Sequence, residues 1–408
     1  MSRGGRRVLV TDAGRGSAVA FIRSLGRRGW HVTAADTHRG SPGFRSRYTS
    51  ERLVYPDPTE RADAAVESIL AAARRDAIDL VIPITDEIGL PLAAARERFD
   101  GVARLALPEP AAMAIAHDKA RTLELAERLG VPIPATIAVA TVDDAVRAAA
   151  DLGWPVVIKP QSSREHREDG TVDAFTVSYA ADASTLCSRI EALHGRTGVL
   201  LQRWRPGEGH GVELLVDHGR PLAAFQHRRL REVPVTGGAS ALRESVRLDP
   251  VLLDLATRLL AELGWTGLAM VEFRQTPAGP ELMEINGRVW GSLPLAVRSG
   301  MDFPGRLADL LLDGPPAAMV PIATDYRVGV RARNLRLDIS WIGAVATGRR
   351  RYPELPWPGR AAALVAALSL VDPRIGDDLL VRGDLGPGLA QIAAIAHEAV
   401  GKGLHRGS

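Results

Sequence analysis

The first hundred residues alternate short apolar runs with segments of helical spacing. Arg7–Thr11, His31–Ala35, Leu53–Tyr55, Asp79–Ile84 and Ala103–Leu107 read as buried strands. Between them Ala18, Phe21, Ile22 and Leu25, and apolar positions across 61–73, recur every three or four residues, as on one face of a helix. Such alternation predicts a parallel sheet covered on both faces. Pro108 and Pro110 mark a boundary, because two prolines in three residues interrupt regular structure. The pattern then predicts a helix from His117 to Gly130, a helix over 143–152 and a strand ending at Lys159. A polar loop over 161–171, a strand over 173–179, a helix over 182–194 and a strand over 199–204 complete a small α+β lobe. Two hairpins follow. Val212–Val216 and Pro221–Phe225 flank the turn Asp217–Arg220, and Leu268–Phe273 and Glu281–Ile285 flank Thr276–Pro280, with a helix near 250–263 between the pairs. Beyond 314 the chain is rich in Ala and Arg, with helices expected near 360–370 and 387–401.

Composition narrows the class. A chain of 408 residues with 46% hydrophobic and 24% charged positions has room for two or three folded domains and is not a disordered polymer. A net charge of +3 is too small an excess for tight nucleic-acid binding. The single cysteine, Cys187, excludes an internal disulfide and a thiolate zinc site. No apolar run is long enough to span a bilayer, so a cytoplasmic protein without membrane partners is expected. Among the 51 basic residues, lysine occurs only at Lys119, Lys159 and Lys402. In a chain that uses arginine wherever a surface cation will serve, two interior lysines mark places that want a compact ammonium.

Two patterns suggest ligands. Gly14 and Gly16 follow the first strand and Asp36 follows the second, the spacing of a ribose-binding acid from its glycine turn, but Val19 stands where a dinucleotide fingerprint has its third glycine. The second hairpin carries more. With its turn centred on Ala278, Glu272 opposes Glu284, and Asn286 projects from the same face. Opposed like charges destabilise a hairpin. A divalent cation reverses that penalty, and two carboxylates with an amide oxygen are hard ligands suited to Mg²⁺. A hairpin with both acids turned to solvent is the plainer alternative. The alternating Ala269, Val271 and Phe273 argue for one buried face instead.

The order of these features resembles the ATP-grasp superfamily, in particular its carboxylate–amine ligases, with more distant similarity to carbamoyl-phosphate synthase and biotin carboxylase. The resemblance runs over about 6–313 and rests on Asp118-Lys119, Pro155–Pro160, Leu201–Glu208, Met270–Phe273 and Leu282–Arg288. It implies a Rossmann-like domain over 1–108, a two-lobed ATP-grasp domain over 109–313 with a mobile lobe at about 120–200, and a partly helical extension over 314–408. It further implies ATP and Mg²⁺ (with Mn²⁺ as a substitute), and small-molecule carboxylate and amine substrates; the assembly expected is a homodimer. By the same resemblance Lys119 and Lys159 hold phosphates, and Gln202, Arg203 and Trp204 form the hinge that holds adenine. Glu208, or else Glu213, accepts the ribose hydroxyls, and Glu272, Glu284 and Asn286 hold the metal. Arg288 faces the γ-phosphate and the acyl phosphate. Two segments depart from the family pattern. The flap at 161–170 has one glycine, leaving Ser162, Ser163 or Arg164 to meet phosphates. The basic run His227–Gly238 suggests an anion clamp through Arg229 or Arg231, against the alternative of solvated surface arginines. An ATP-dependent carboxylase acting through carboxyphosphate and a nicotinamide-dependent oxidoreductase built on Gly14, Gly16 and Asp36 are the competing functions.

Overall fold

The computed structural model describes residues 5–404 apart from 163, 167–171, 317–319, 349 and 351; the side chains of 164–166, 172 and 399–404 also lie outside the description. The expected phosphate contacts of Ser163 and Arg164 therefore fall outside the described side chains.

The N-terminal unit contains β1 (Arg7–Val10), α1 (Gly16–Arg27), β2 (His31–Asp36), β3 (Glu51–Val54), α2 (Ala62–Arg75), β4 (Leu80–Ile82), α3 (Asp86–Ala94) and β5 (Arg104–Leu105). Its sheet is parallel throughout, in the order β3-β2-β1-β4-β5. Helix α1 buries Ala18, Phe21, Ile22 and Leu25, the positions the apolar period marks out. Strand β3 is a largely exposed edge, because only β2 pairs with it.

Helices α4 (Pro110–His117) and α5 (Lys119–Arg128) replace the single helix expected from His117. The break is at Asp118, whose carboxylate caps α5 by accepting from Ala120 N and Arg121 N. The small lobe follows as β6 (Thr136–Val139), α6 (Val142–Leu152), β7 (Val156–Pro160), β8 (Arg164–His166), β9 (Val172–Ala174), β10 (Ser178–Ala180), α7 (Ala183–Leu193) and β11 (Val199–Arg203). Its antiparallel sheet has the order β10-β7-β11-β6. Helix α6 starts with a reciprocal capping box between Thr141 and Asp144.

A seven-stranded sheet dominates the remainder. It is formed by β12 (Glu208–Asp217), β13 (Arg220–Val233), β14 (Ala239–Ser245), β15 (Gly267–Thr276), β16 (Gly279–Asn286), β17 (Arg331–Arg333) and β18 (Ile375–Asp377), in the order β16-β15-β12-β13-β14-β17-β18. Helix α8 (Pro250–Glu262) covers one face, where Leu252, Leu255 and Leu259 join Val212, Leu214, Val271 and Phe273 in one core. Helices α9 (Leu293–Ser299) and α10 (Phe303–Asp313) pack with α1 in a second core that ties the N-terminal unit to this sheet. Helices α11 (Leu335–Thr347), α12 (Arg360–Ser369) and α13 (Gly386–Leu404) complete the chain. The region after 313 is thus not an appendage: β17 and β18 continue the sheet, and Arg23 holds Asp384 at 2.7 Å with both side chains buried.

Candidate active site

The sheet, the small lobe and the N-terminal unit enclose a cleft of about 1030 Å³. One wall is the β15–β16 hairpin. Glu272 and Glu284 are directly paired, and Asn286 Nδ2 donates to Glu272 Oε1 at 3.0 Å and to Glu284 Oε1 at 3.1 Å. The pairing arises differently from the expectation. Thr276 pairs with Gly279, so the turn centres between Pro277 and Ala278, and a bulge that leaves Met283 unpaired restores the opposition of the two acids. The alternate residues Ala269, Val271 and Phe273 are buried, as the one-sided reading requires.

The lysines arrive from the opposite side. Asp118, besides capping α5, accepts from Gln161 Nε2 at 3.0 and 2.9 Å, and Lys119 N donates to Gln161 O at 3.1 Å. These bonds bind the start of α5 to the end of β7, so Lys119 and Lys159 share the cleft. Burial pushes the Lys159 ammonium down to about 8, against the pull of Glu284 and with Lys119 adding to the shift. Burial works against an ionised Glu284, but Lys119 and Lys159, with the Asn286 hydrogen bond and Arg229, together outweigh it and hold this carboxyl below its ordinary range. Glu272 is raised, by burial and by the Glu284 charge, although Arg229 pulls the other way. Arg229 makes an ion pair with Glu272, and its Nη1 reaches Glu232 Oε1 at 3.2 Å and Gly238 O at 3.0 Å.

Arg288 enters the cleft from the end of the hairpin. Its Nε donates to Asp86 Oδ2 at 2.8 Å and its Nη1 to Val289 O at 3.2 Å. Asp86, in the first turn of α3, had no signal in the motif order. Its position beyond the carboxyl end of a parallel strand is the only hint, since ligand sites of open α/β sheets collect there. Tyr179, Tyr352 and Leu355 are further cleft residues missed in the sequence, and with Val157 and Trp204 they form an apolar patch.

Four expected roles are corrected or narrowed by geometry. Arg231 does not join Arg229: a bulge leaves Leu230 unpaired, which turns Arg231 to the other side of β13. There Arg231 meets Asp338 at 2.7 Å, lies over Trp341 and serves the packing of α11. Glu208 lies on the face of β12 opposite to Gly211, which pairs with Glu272, and it is an exposed partner of His210 and Arg228. Glu213 is on the cleft side but fully buried, accepting from Ser292 Oγ at 2.9 Å beside His227, and burial raises it to about 8. Neither acid presents a free carboxylate to a ribose in this arrangement. In the hinge, Gln202 Nε2 bonds Thr136 Oγ1 at 2.9 Å and Arg203 Nε bonds Leu152 O at 2.8 Å, so their side chains brace the lobe and Trp204 supplies the apolar surface.

The glycine turn does not form a dinucleotide site here. Asp36 Oδ2 accepts from Gly14 N at 2.6 Å and from Ser41 Oγ at 2.9 Å, which fills the place of a ribose. A Cβ on Gly16 would stand 2.9 Å from Asp378 Cβ, so the C-terminal region packs against one side of the start of α1, while Arg15, Gly16 and Ser17 line the cleft.

The metal ligands proposed from sequence pass a fit test with one adjustment. Glu272 and Glu284 supply oxygens on one face, but Asn286 points its amide nitrogen at them, so ligation through Oδ1 requires that the amide turn over.

Comparisons with known proteins agree with this architecture. A family described as "ATP-grasp in the biosynthetic pathway with Ter operon" matches residues 196–333. The chain is 26% identical over 219 residues to a D-alanine–D-alanine ligase of Pseudomonas entomophila, a match over 50% of this chain and 65% of the ligase. It is 27% identical over 218 residues to a carbamoyl phosphate synthase large chain of Deinococcus radiodurans, over 51% of this chain but only 21% of that protein. In both cases the match spans less than two thirds of the relative. Among solved structures, a carboxyaminoimidazole ribonucleotide synthase of Aspergillus clavatus, complexed with ATP, has a TM-score of 0.63 at 14% identity, covering 90% of this chain and 98% of that one. The family match and these relatives support the ATP-grasp superfamily for this chain. No helix among the described residues is long and apolar enough to cross a membrane.

Proposed function

We propose that the protein is an ATP- and Mg²⁺-dependent ligase that activates a carboxylate as an acyl phosphate and couples it to an amine, giving an amide or peptide bond. One observation carries this reading: Glu272, Glu284 and Asn286 share a cleft with Lys119, Lys159, Arg229 and Arg288. A set of hard oxygen ligands facing four cations suits a metal–triphosphate complex, whose own charges are mixed in the same way. The kinship with D-alanine–D-alanine ligase supports the choice of an amine as acceptor.

In this reading Glu272, Glu284 and the Asn286 amide oxygen hold Mg²⁺ (or Mn²⁺), which would neutralise phosphate charge. Lys119 and Lys159 bind phosphate oxygens, while Val157, Trp204 and Met283 provide apolar surface for the base. A carboxylate oxygen attacks the γ-phosphorus, and the bond to the β,γ-bridging oxygen breaks to release ADP. The amine nitrogen then attacks the acyl carbon, the bond to the phosphate oxygen breaks, and the nitrogen loses a proton. Arg288 retains Nη2, which makes none of the hydrogen bonds described above, for the phosphoryl oxygens. The small lobe excludes water from the intermediate.

The test is a panel of carboxylates (the amino acids, dicarboxylic acids and bicarbonate) with ATP, Mg²⁺ and hydroxylamine. Hydroxamate and ADP formation with an organic acid is expected. Stimulation by bicarbonate alone would favour the carboxylase, and ATP-independent reduction of a nicotinamide would sink both.

A further inference from the structure

Arg288 is not free to choose its direction. Of its donors, Nε is committed to Asp86 Oδ2 at 2.8 Å and Nη1 to Val289 O at 3.2 Å. Asp86 is in turn held by its own turn of chain. The loop from β4 to α3 is fastened to β1's exit: Ile84 N donates to Thr11 Oγ1 at 3.1 Å, and Thr85 N and Oγ1 donate to Asp12 at 3.2 and 3.0 Å. Asp12 has a φ of 52°, and Thr11 Oγ1 donates to it at 2.6 Å. Three bonds thus set the two residues before Asp86, one at Ile84 and two at Thr85, and the first helical turn sets Asp86 itself.

We propose that Asp86 is the positioning residue for Arg288, fixing its guanidinium so that Nη2 addresses the terminal phosphate of ATP. The inference rests on the nucleotide site proposed above and extends it to the N-terminal unit. Three features of the geometry support it. The contact joins two separate units, across 202 residues of sequence, at the edge of the cleft. It uses Nε, the donor that leaves the outer edge of the fork available. It also gives the Thr11–Asp12 turn a purpose: that turn pins the loop that carries Asp86.

A wandering guanidinium pays rotamer entropy each time it meets a phosphate, whereas a fixed one does not. The gain belongs only to ligands that possess the terminal phosphate. The affinity ratio between a non-hydrolysable ATP analogue and ADP, each with Mg²⁺, therefore reads the proposal directly by calorimetric titration, without knowledge of the organic substrates. Asp86→Asn should lower that ratio about tenfold while ADP affinity stays within twofold. Asp86→Glu, which can still reach Nε, should recover most of the loss. In an Arg288→Ala background, Asp86→Asn should change the ratio no further. A ratio that is unchanged or raised in Asp86→Asn overturns the proposal, since Asp86 would then only repel the phosphate or serve its helix. A tenfold loss that persists without Arg288 overturns it too, as does an equal loss for both nucleotides with a lowered melting temperature. Failure of the unmodified protein to bind either nucleotide with Mg²⁺ would instead remove the proposed function itself.

Discussion

Glu272 and Glu284 face each other across one hairpin, yet their carboxyls are pushed in opposite directions from the ordinary value. The difference comes from what stands behind each. Burial opposes ionisation at both, but Glu284 faces Lys119 and Lys159, whereas Glu272 has Arg229 on one side and the Glu284 charge on the other. The hairpin thus carries one acid that is settled as a carboxylate and one that is not. A second positive charge settles both, which is the electrostatic case for a cation at this place.

Replacing Glu284 by Gln should cut nucleotide-dependent turnover by at least a hundredfold. It should also lower, not raise, the melting temperature of the metal-free protein by a few degrees. The relief of the cross-strand repulsion is worth about 0.2–1 kcal/mol. The two lysines lose a buried counter-ion at the same time, and their pull on Glu284 exceeds that repulsion. Thermal melts without metal decide the sign.

The raised Glu272 gives Mg²⁺ binding a pH dependence. A carboxyl whose folded pKa is raised favours the folded state while protonated, and loses that contribution as pH rises through the raised value. A metal must displace the same proton. The stabilisation by Mg²⁺ in thermal melts should therefore fall as pH drops from 7 towards the ordinary carboxylate range, with the decline starting above 4.5. In Glu272→Gln the Mg²⁺ effect should be small and flat across that range.

Lys159 titrates at the other end. Its pKa is depressed to about 8, so the ammonium proposed to bind phosphate is present below that value and lost above it. Affinity for the ATP analogue should decline from pH 7 to pH 9. Lys159→Arg should abolish that decline and weaken binding about tenfold at pH 7, because a planar guanidinium fork does not reproduce the contacts of a compact, rotatable ammonium.

The gathering of Glu272, Glu284, Asn286, Lys119 and Lys159 in one cleft was legible because it depends on register and composition. Alternation placed Glu272, Glu284 and Asn286 on one face, and the scarcity of lysine singled out Lys119 and Lys159. The register was legible for an incomplete reason: the turn lies half a residue from its expected centre, and only the Met283 bulge brings the acids into opposition. Bulges also explain the failures, since alternation assigns Arg229 and Arg231 to one face and the unpaired Leu230 separates them. Glu208 follows from the same parity, which a motif match does not examine. The Asp86–Arg288 pair joins units far apart in sequence, and local pattern carries no information about it. The sheet role of the region after 313 was hidden for a related reason: β17 and β18 are only three residues each, too short for a period to emerge.

Arg231 tests the corrected geometry. Arg231→Met should leave affinity for the ATP analogue within twofold. It should cost about 2–4 kcal/mol of stability, because the buried Asp338 keeps only Arg333 at 3.3 Å as a partner. Denaturant unfolding and nucleotide titration of the one variant read both halves. Weakened nucleotide binding with unchanged stability would return Arg231 to the clamp.

The activation step itself leaves an isotopic trace. A carboxylate that gives hydroxamate in the panel is labelled with ¹⁸O in both oxygens and incubated with ATP, Mg²⁺ and its amine, and the orthophosphate is isolated for mass analysis. Attack of the carboxylate on the γ-phosphorus predicts one ¹⁸O in each phosphate released. Unlabelled phosphate, with the label found in AMP or nowhere, would contradict activation through an acyl phosphate.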